Sequence, residues 1–276
     1  MHRPYAQVDV FTTGPGTGNP LAVVLDAAGL STTAMARFAR WTNLSETTFV
    51  LPPDDPGADY RVRIFTPDDE LPFAGHPTLG SCHAWLEAGS TPRAPGSIVQ
   101  ECGAGQIVIR KADDRLAFAA PPLLRGGPVD ETELAEIAAS IGLDRSAIVD
   151  ARWGDNGPGW VIVLLGSADA VLAVQPGDVQ LDLGIVGLYP PGSPVALEVR
   201  ALYPQNGYVV EDPVTGSLNA SAAEWLLSTG RLRAPYIASQ GRAIGRAGRI
   251  HVTRDADGTV WTGGRSTTVI RGTVEL

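Results

Sequence analysis

One pattern of residues occurs twice in this chain, and the repetition constrains the fold more than any other feature of the sequence. The segment VRIFTP at 62–67 is matched by VRALYP at 199–204. Each segment is followed by a loop with Glu, Pro and Gly in the same order, ELPFAGH at 70–76 and EDPVTGS at 211–217. A strand-like run and a loop that match in this order indicate a duplicated unit, with one copy in each half of the chain.

The match continues into a helical pattern in each half. GHPTLGSCHAWLEAG follows the first loop and carries Trp85 near its end, and GSLNASAAEWLLSTG follows the second and carries Trp225. Gly89 and Gly230 are expected to end these helices. Short runs rich in β-branched and aromatic residues, such as AQVDVF, PLAVVL, ETTFVL and DYRVRIF, predict strands around them. The second half begins near Pro121.

A further helix is predicted between the second and third strands. The segment STTAMARFARWTN begins with Ser31, which is a favourable N-cap residue. Its apolar residues recur at helical spacing, namely Met35, Phe38, Ala39 and Trp41. This spacing predicts a helix with one apolar face.

The composition excludes several classes of protein and partner. Hydrophobic residues make up 44% of the chain and charged residues 18%, so a substantial core can form. The net charge of −9 repels phosphate backbones and anionic lipids, so we expect no nucleic-acid or membrane partner. No N-terminal apolar run resembles a signal sequence, and no stretch approaches the roughly 20 apolar residues of a membrane span. Because Cys82 and Cys102 are too few for a disulfide framework, we expect a soluble cytoplasmic protein.

Several kinds of active site lack their signature residues. Lys111, the only lysine, lies in a hairpin-like turn, whereas Schiff-base enzymes need a desolvated lysine. The glycines of TTGPGTGNPLAVVL lead into a strand, so they do not fit a nucleotide loop. There is no G-x-S-x-G motif, and Ser217 is either a helix cap or, less commonly, a nucleophile. The histidines lack zinc-site spacing, and we expect no metal site; they are His2, His76, His83 and His251.

The two glycine-led helix starts indicate anion binding. A helix N-terminus has unpaired backbone N–H groups and the positive end of the helix dipole. Gly75 and Gly216 lack a Cβ, so a ligand could approach the N–H groups of these residues and of His76 and Ser217. The alternative is that each glycine only turns the chain. If the two starts faced each other across a pseudo-dyad, they would form a cleft suited to a carboxylate or an enolate oxygen.

Glu46 is the candidate for acid–base chemistry. It lies in WTNLSETTFVL, at the junction between the predicted helix that contains Trp41 and an apolar strand. A carboxyl group there could be partly desolvated, which would raise its pKa and suit it to proton transfer near neutral pH. A surface residue or a capping partner is the alternative interpretation.

The sequence resembles the PhzF-like isomerases of phenazine biosynthesis. The matching motifs are VDVFTTGPGTGNPLAVVL, NLSETTFVL, RIFTPDDELPFAGHPTLG, EDPVTGSLNASAAEWL and QGRAIGRAGRIHV, in this order along the chain. The resemblance implies an α+β protein with the diaminopimelate epimerase-like fold, in which two pseudo-symmetric domains each place a curved, mostly antiparallel sheet around a central helix. The predicted halves are residues 1–120 and residues 121–276, and the last strand can pair with the first half.

The resemblance also implies an isomerase that needs no cofactor and assembles as a homodimer. In it Glu46 would take a proton from one ring carbon of a small cyclic carboxylate and return it to another, which moves a double bond. His76, Asp212 and Ser217 would orient the substrate and stabilise the delocalised intermediate. Backbone N–H groups at Gly75–His76 and Gly216–Ser217 would hold the substrate carboxylate.

The substrate and two other functions stay open at this point. The sequence has Leu218, Asn219 and Ala220 where many relatives have A-H-C, which makes the substrate uncertain between a dihydro-hydroxyanthranilate-like compound and a pyrroline-carboxylate diene of secondary metabolism. An amino-acid epimerase or racemase is the first alternative. Such relatives use paired cysteines at the two helix starts, but Cys82 and Cys102 lie in one half and are interpreted as core residues. A non-catalytic protein that binds small carboxylates is the second alternative.

Overall fold

The chain folds into many short β-strands and few helices, and the computed structural model describes all residues from 1 to 276. In chain order, the elements are β1 His2–Val10, β2 Asn19–Val24, α1 Thr32–Thr42, β3 Thr47–Leu51, β4 Tyr60–Phe65, β5 Glu70–Leu71, α2 Gly75–Glu87, β6 Ser97–Cys102, β7 Gly105–Ala112, β8 Arg115–Ala119, β9 Arg125–Pro128, α3 Glu131–Ser140, a 3₁₀ helix Arg145–Ala147, β10 Ile148–Asp155, β11 Val161–Leu165, α4 Ala168–Ala173, β12 Leu183–Leu188, β13 Leu197–Gln205, β14 Tyr208–Asp212, α5 Gly216–Ser228, β15 Tyr236–Gln240, a 3₁₀ helix Arg242–Ile244, β16 Gly248–Arg254 and β17 Val260–Glu275. None of the helices is both long and apolar enough to cross a membrane.

These elements form two compact units. Unit 1 contains residues 1–119 and 263–276, and unit 2 contains residues 120–262. The predicted second half, residues 121–276, therefore includes a C-terminal segment that belongs to unit 1. This segment lies in β17, which pairs antiparallel with β1 from Ser266 to Glu275.

The strands of unit 1 pair in a closed ring. Strand β1 pairs with β17 on one side and with β2 on the other, and the ring continues through β3 to β4. From β4 it passes through β6 and β7 to β8, which pairs with β17. The β2–β3 and β4–β6 pairings are parallel and most others are antiparallel. A ring of this kind encloses one face of the sheet, and that face needs apolar contents.

Helix α2 supplies those contents. It contacts β1, β2, β3, β4, β6 and β8, and every residue from Gly75 to Cys82 is buried. A helical segment that is buried on all sides disfavours charged residues, and these eight positions contain no Asp, Glu, Lys or Arg. Gly80 lets the helix approach β1 and β2, because a Cβ at this position would lie only 2.5 Å from Leu21 Cδ2.

Unit 2 repeats the same order of parallel and antiparallel pairings, with a helix against the sheet. Its strands pair in the order β9, β10, β11, β12, β13, β15 and β16, and the β11–β12 and β13–β15 pairings are parallel. Helix α5 contacts β10 and β16, and its first turns are buried. It also lies against β12, where a Cβ on Gly184 would be 2.1 Å from Leu218 Cδ1. The predicted helices that carry Trp85 and Trp225 are thus confirmed as α2 and α5.

The pairing registers show the sequence repeat as a structural repeat. In unit 1, Phe65 of β4 pairs with Glu70 of β5. In unit 2, Leu202 of β13 pairs with Glu211 of β14, which is the same offset from the matched VR dipeptides. The extra residues of the second copy extend the hairpin between these strands and leave the register unchanged.

The helix predicted after the second strand is confirmed as α1, with one exception in its apolar face. Ser31 caps it by accepting a hydrogen bond from the N–H of Ala34. Met35, Phe38 and Ala39 are buried. Trp41 is 78% exposed, because it lies on the outer side of the helix, where its ring stacks on Phe38. The prediction that Trp41 belongs to the apolar face of this helix is therefore wrong.

Candidate active site

The first candidate residues lie at the start of helix α2. The helix begins at Gly75. Its N-cap residue, Ala74, has no side-chain oxygen that could accept a hydrogen bond from the first N–H groups of the helix. His76 is buried and is held from β2. Its Nδ1 atom lies 3.5 Å from Nδ2 of Asn19, and the imidazole forms a hydrogen bond with the backbone of Pro20.

The imidazole of His76 is neutral near pH 7. Burial lowers the pKa of His76 from 6.5 to about 3, and the hydrogen bond with the Pro20 backbone, which raises the pKa, offsets only part of this effect. A neutral imidazole has one N–H donor and one acceptor nitrogen, so it can both donate and accept a hydrogen bond inside the unit.

Glu46 faces His76. Oε2 of Glu46 lies 3.4 Å from Nε2 of His76, and the Glu46 side chain is only 15% exposed. The local chain directs it there. Helix α1 ends at Thr42, and its C-cap residue, Asn43, adopts a left-handed conformation with φ of 53°. The hydroxyl groups of Thr42 and Thr47 lie 2.8 Å apart across the connection. The Glu46 carboxyl group thus lies just before β3, beside a buried imidazole.

Ser217 occupies the matching place at the start of helix α5. Nε1 of Trp160 donates a hydrogen bond of 3.0 Å to its hydroxyl oxygen, and Nδ2 of Asn156 donates one of 3.0 Å to its backbone carbonyl. An indole N–H can only donate, so it cannot accept the proton that a serine nucleophile must lose. The Ser217 hydroxyl hydrogen is left to donate, and the arrangement favours binding of an anion over nucleophilic attack.

Asp212 lies at the end of β14, just before this helix start. Its Oδ2 atom accepts a hydrogen bond of 2.5 Å from the hydroxyl of Thr215, which is the N-cap residue of α5. This bond fixes the orientation of the carboxylate relative to Gly216, where the helix begins. Both helix starts therefore have a glycine, a polar residue directly after it, and a carboxyl group near by in the same unit.

The family of the chain follows from comparison with known proteins. Residues 8–272 match the family described as phenazine biosynthesis-like protein, PhzC-PhzF. The chain belongs to this family. The predicted resemblance to the PhzF-like isomerases is thereby confirmed.

Some relatives of this PhzC-PhzF protein are named as isomerases, and one has a name that states no enzyme activity. The chain is 35% identical over 268 residues to the trans-2,3-dihydro-3-hydroxyanthranilate isomerase of Pseudomonas aeruginosa, with 94% of this chain and 92% of that protein covered. It is 34% identical over 289 residues to Antisense-enhancing sequence 1 of Schizosaccharomyces pombe, with 97% of each covered. Other relatives are also named isomerases, and the prediction of an isomerase is confirmed.

Solved structures confirm the predicted fold class. The Bacillus anthracis phenazine biosynthesis protein of the PhzF family superposes with a TM-score of 0.85 at 25% identity, and each chain is covered completely. A hydroxyproline epimerase from Agrobacterium vitis superposes with a TM-score of 0.59 at 15% identity, with 100% of this chain and 93% of that one covered. The α+β architecture of this PhzC-PhzF protein is thus that of the epimerase-like fold.

The cysteines of this PhzC-PhzF protein lie away from both helix starts. Cys82 is buried in the middle of α2, where burial raises the pKa of its thiol to about 12. Cys102 ends β6, and burial raises its thiol pKa as well. A thiol with a raised pKa is a poor proton acceptor near neutral pH. No group of three or more His, Cys, Asp or Glu side chains is arranged to hold a metal ion.

Three residues at the two helix starts were not predicted from the sequence. Asn19 contacts His76, and Trp160 and Asn156 contact Ser217. Each lies at the beginning of a strand or in the turn before it, and nothing in the local sequence indicates the contact with the helix start. A comparison of the repeats strand by strand could have found the first two, because β2 and β11 hold equivalent places.

The residues that replace the usual A-H-C are used inside unit 2. Leu218 and Ala220 are fully buried, and Leu218 packs on Gly184. Asn219 is also buried, and its amide donates hydrogen bonds to the Thr215 carbonyl and to Gln240. These side chains therefore pack and hydrogen-bond the first turn of α5 against the rest of unit 2.

Proposed function

We propose that this protein is a cofactor-independent isomerase that shifts a double bond in a small cyclic amino-acid-like carboxylate. Glu46 is the proton carrier in this proposal. It takes a proton from one ring carbon and returns it to another on the same face, so that no proton is gained or lost overall. The single observation that carries the proposal is the approach of Glu46 Oε2 to within 3.4 Å of the buried Nε2 of His76.

The chemistry of this pair suits a proton shuttle. A carboxyl group must be able to hold the proton between its two transfers, and a neighbouring neutral imidazole can hydrogen-bond to either of its protonation states. The side chains are 15% and 5% exposed, so few water molecules can exchange the carried proton. Catalysis by one such group typically contributes about 10²- to 10⁴-fold.

Asp212 and Ser217 are proposed to orient the substrate and to stabilise the charge that develops on it. Ser217 has a hydroxyl hydrogen to donate, because Trp160 already donates to its oxygen. The N–H groups at Gly75–His76 and Gly216–Ser217 are proposed to bind the substrate carboxylate, which helix N-termini attract. Such donors lower the barrier when negative charge spreads into the substrate.

The proposed substrate class combines a ring, a carboxylate and two conjugated or skipped double bonds. The Pseudomonas aeruginosa relative is named for trans-2,3-dihydro-3-hydroxyanthranilate, which supports a dihydro-hydroxyanthranilate-like compound. A pyrroline-carboxylate diene of antibiotic biosynthesis is the other member of the class. Either would place the protein in secondary metabolism.

Isomerisation in deuterated water, followed by NMR and ultraviolet absorbance, tests the proposal. We expect the double bond to move and the product to carry less than one solvent deuteron per turnover, because Glu46 returns part of the abstracted hydrogen. Glu46→Gln should lower kcat about 10²- to 10⁴-fold. Turnover of Glu46→Gln at the wild-type rate would show that the mechanism is wrong.

A second carboxyl–imidazole pair of unit 1 provides a matched control. Oε2 of Glu87 lies 3.5 Å from Nε2 of His83, which is four residues earlier, and both residues lie in the C-terminal half of α2. Glu87→Gln removes the same charge at a similar distance from a histidine, and we expect its kcat to be unchanged.

Label washed into an α-carbon with loss of optical activity would indicate an epimerase instead. Carboxylate binding by calorimetry without turnover would indicate a binding protein.

A further inference from the structure

Gln240 is the last residue of β15, in the motif QGRAIGRAGRIHV, and its side chain is fully buried. Oε1 accepts hydrogen bonds from the N–H of Thr215 at 3.0 Å and from Nδ2 of Asn219 at 2.8 Å. Nε2 donates to the carbonyl of Asp212 at 3.1 Å and to the hydroxyl of Thr215 at 2.8 Å. All four bonds end on the EDPVTGS loop or on the first turn of α5.

These four bonds use the whole capacity of the amide. A primary amide has two N–H donors and an oxygen with two lone pairs, and each of them has a partner here. Thr215 transmits the contact, because its hydroxyl accepts from Gln240 and donates to Oδ2 of Asp212 at 2.5 Å. The orientation of the Asp212 carboxylate thus depends on Gln240 through one intervening hydroxyl group.

The backbone beside Gln240 is also shaped around the loop. Gly241 has a φ of 88°, and a Cβ at this position would lie 2.6 Å from the carbonyl oxygen of Pro213. Gly248, which pairs with Gln240 across the β15–β16 hairpin, would bring a Cβ to 2.4 Å from the Val214 side chain. Both glycines let this stretch of chain lie directly against the loop that carries Asp212.

We infer that Gln240 is a positioning residue for the reaction. It holds the Asp212 carboxylate and the N-terminus of α5 in one fixed arrangement, so that the substrate meets a preformed set of donors and acceptors. This inference rests on the proposed function for its catalytic part. Its structural part, that the loop before Gly216 is ordered by Gln240, stands without it.

Gln100 provides the control, because it is a buried glutamine of unit 1, whereas Asp212 belongs to unit 2. It is equally buried, accepts a hydrogen bond of 2.9 Å from the Tyr60 hydroxyl, and donates one of 3.0 Å to Thr78. None of its hydrogen bonds reaches the EDPVTGS loop. Gln240→Met and Gln100→Met therefore remove the same polar group from two buried sites, of which only one supports Asp212.

Steady-state kinetics of the full chain test the catalytic part. We expect Gln240→Met to lower kcat about 10- to 100-fold with little change in KM, and Gln100→Met to leave kcat within about threefold of the wild type. Thr215→Val should lower kcat as Gln240→Met does, and Thr215→Ser, which keeps the hydroxyl, should restore it. In an Asp212→Asn background, Gln240→Met should reduce kcat less than about threefold further. Equal losses from the two glutamine variants, or additive losses with Asp212→Asn, would overturn the inference.

Hydrogen exchange of the free protein gives a readout that needs no activity. The Thr215 amide should exchange about tenfold faster, or more, in Gln240→Met than in the wild type, and should not change in Gln100→Met. Unchanged exchange in Gln240→Met would overturn the inference even if the enzyme were active. The two parts of the inference can fail separately. If the wild type turned over no diene of the proposed class, the proposed function would be wrong. If the Thr215 amide nevertheless exchanged faster in Gln240→Met, the positioning of the loop by Gln240 would still hold.

Discussion

The two copies of the repeat contain the same ion pair at very different depths. In unit 1, Nη2 of Arg63 lies 2.6 Å from Oε2 of Glu70, and the side chains are 23% and 38% exposed. In unit 2, the matched atoms of Arg200 and Glu211 are 2.7 Å apart, and the side chains are 5% and 8% exposed. Arg200 also donates to the carbonyl of Val174, which follows helix α4. The same strand register thus supports a partly exposed ion pair in unit 1 and a buried ion pair in unit 2.

The helix starts differ in chemistry although the same elements build them. Asn19, at the start of β2, contacts His76, and Trp160, just before β11, contacts Ser217. In each case the partner is the second residue of the central helix and lies 57 residues further along the chain. Unit 1 therefore presents a neutral imidazole, whereas unit 2 presents a hydroxyl group that can donate.

The carboxyl groups directly before β3 and β12 show the same divergence. Thr47 of β3 pairs with Phe65, and Leu183 of β12 pairs with Leu202, so Glu46 and Asp182 precede matched positions. Glu46 faces an imidazole. Asp182 instead lies near another acid, and burial together with the charge of Asp155 raises the pKa of Asp182 to about 6. The duplication keeps the backbone positions, and the neighbouring side chains decide the chemistry.

The largest expected difference between the repeats is in the stability of the two ion pairs. Glu211→Gln leaves the buried Arg200 without its counter-charge and should lower the free energy of unfolding by about 3–5 kcal/mol. Glu70→Gln changes a partly exposed pair and should lower it by less than about 1 kcal/mol. Urea denaturation followed by circular dichroism measures both. Equal losses in the two variants would contradict the assignment of one pair to the core.

Acid sensitivity should come from the helix start of unit 1. The folded-state pKa of His76, about 3, lies below its unfolded value of 6.5, so the folded protein binds fewer protons between these values. Stability is then lost as the pH falls from about 6.5 to about 3. We expect roughly 3–5 kcal/mol of this loss to be absent in His76→Asn, because the variant has no buried imidazole to protonate.

The control for this prediction is His83→Asn. Burial lowers the pKa of His83, but Glu87 raises it. Between about pH 6.5 and pH 3, the stability of His83→Asn should therefore differ less from that of the wild type than the stability of His76→Asn does. Denaturation midpoints measured at several pH values would decide. If His76→Asn and the wild type lost stability in parallel down to pH 3, His76 would not be buried as a neutral group.

The sequence predicts the repeated backbone better than the contacts at the helix starts. The repeated order of the VR segment and the Glu-Pro-Gly loop, the Ser31 cap and the helices with Trp85 and Trp225 follow from residue spacing within short segments of the chain. The approach of Asn19 to His76 and of Trp160 to Ser217 depends on how distant strands pair, and no spacing in either segment encodes it. The exposure of Trp41 could not be predicted either, because helical spacing does not say how wide the buried face is.

A smaller effect with the opposite pH dependence should come from Asp182. Its raised pKa means that ionisation costs stability as the pH rises from about 4 to about 6. Because the group is only partly buried, we expect Asp182→Asn to stabilise the protein at pH 8 by only roughly 1–2 kcal/mol. The difference should vanish below about pH 4. Thermal unfolding at pH 8 and at pH 4 tests this, and a variant that is less stable than the wild type at pH 8 would contradict it.

The smallest expected effect concerns the donor property of Ser217. Trp160→Phe keeps most of the buried ring but removes the N–H that donates to the Ser217 hydroxyl, so the serine oxygen is no longer held in one orientation. One hydrogen bond of about 0.5–1.5 kcal/mol corresponds to a loss in kcat/KM of about 2- to 12-fold. Trp153→Phe, a change at a similarly buried indole in the neighbouring strand β10, should leave kcat/KM unchanged. Both variants remove an indole N–H group. Equal values of kcat/KM in the two variants would mean that Ser217 needs no indole to orient it. The helix starts of the two units would then differ less than their contacts indicate.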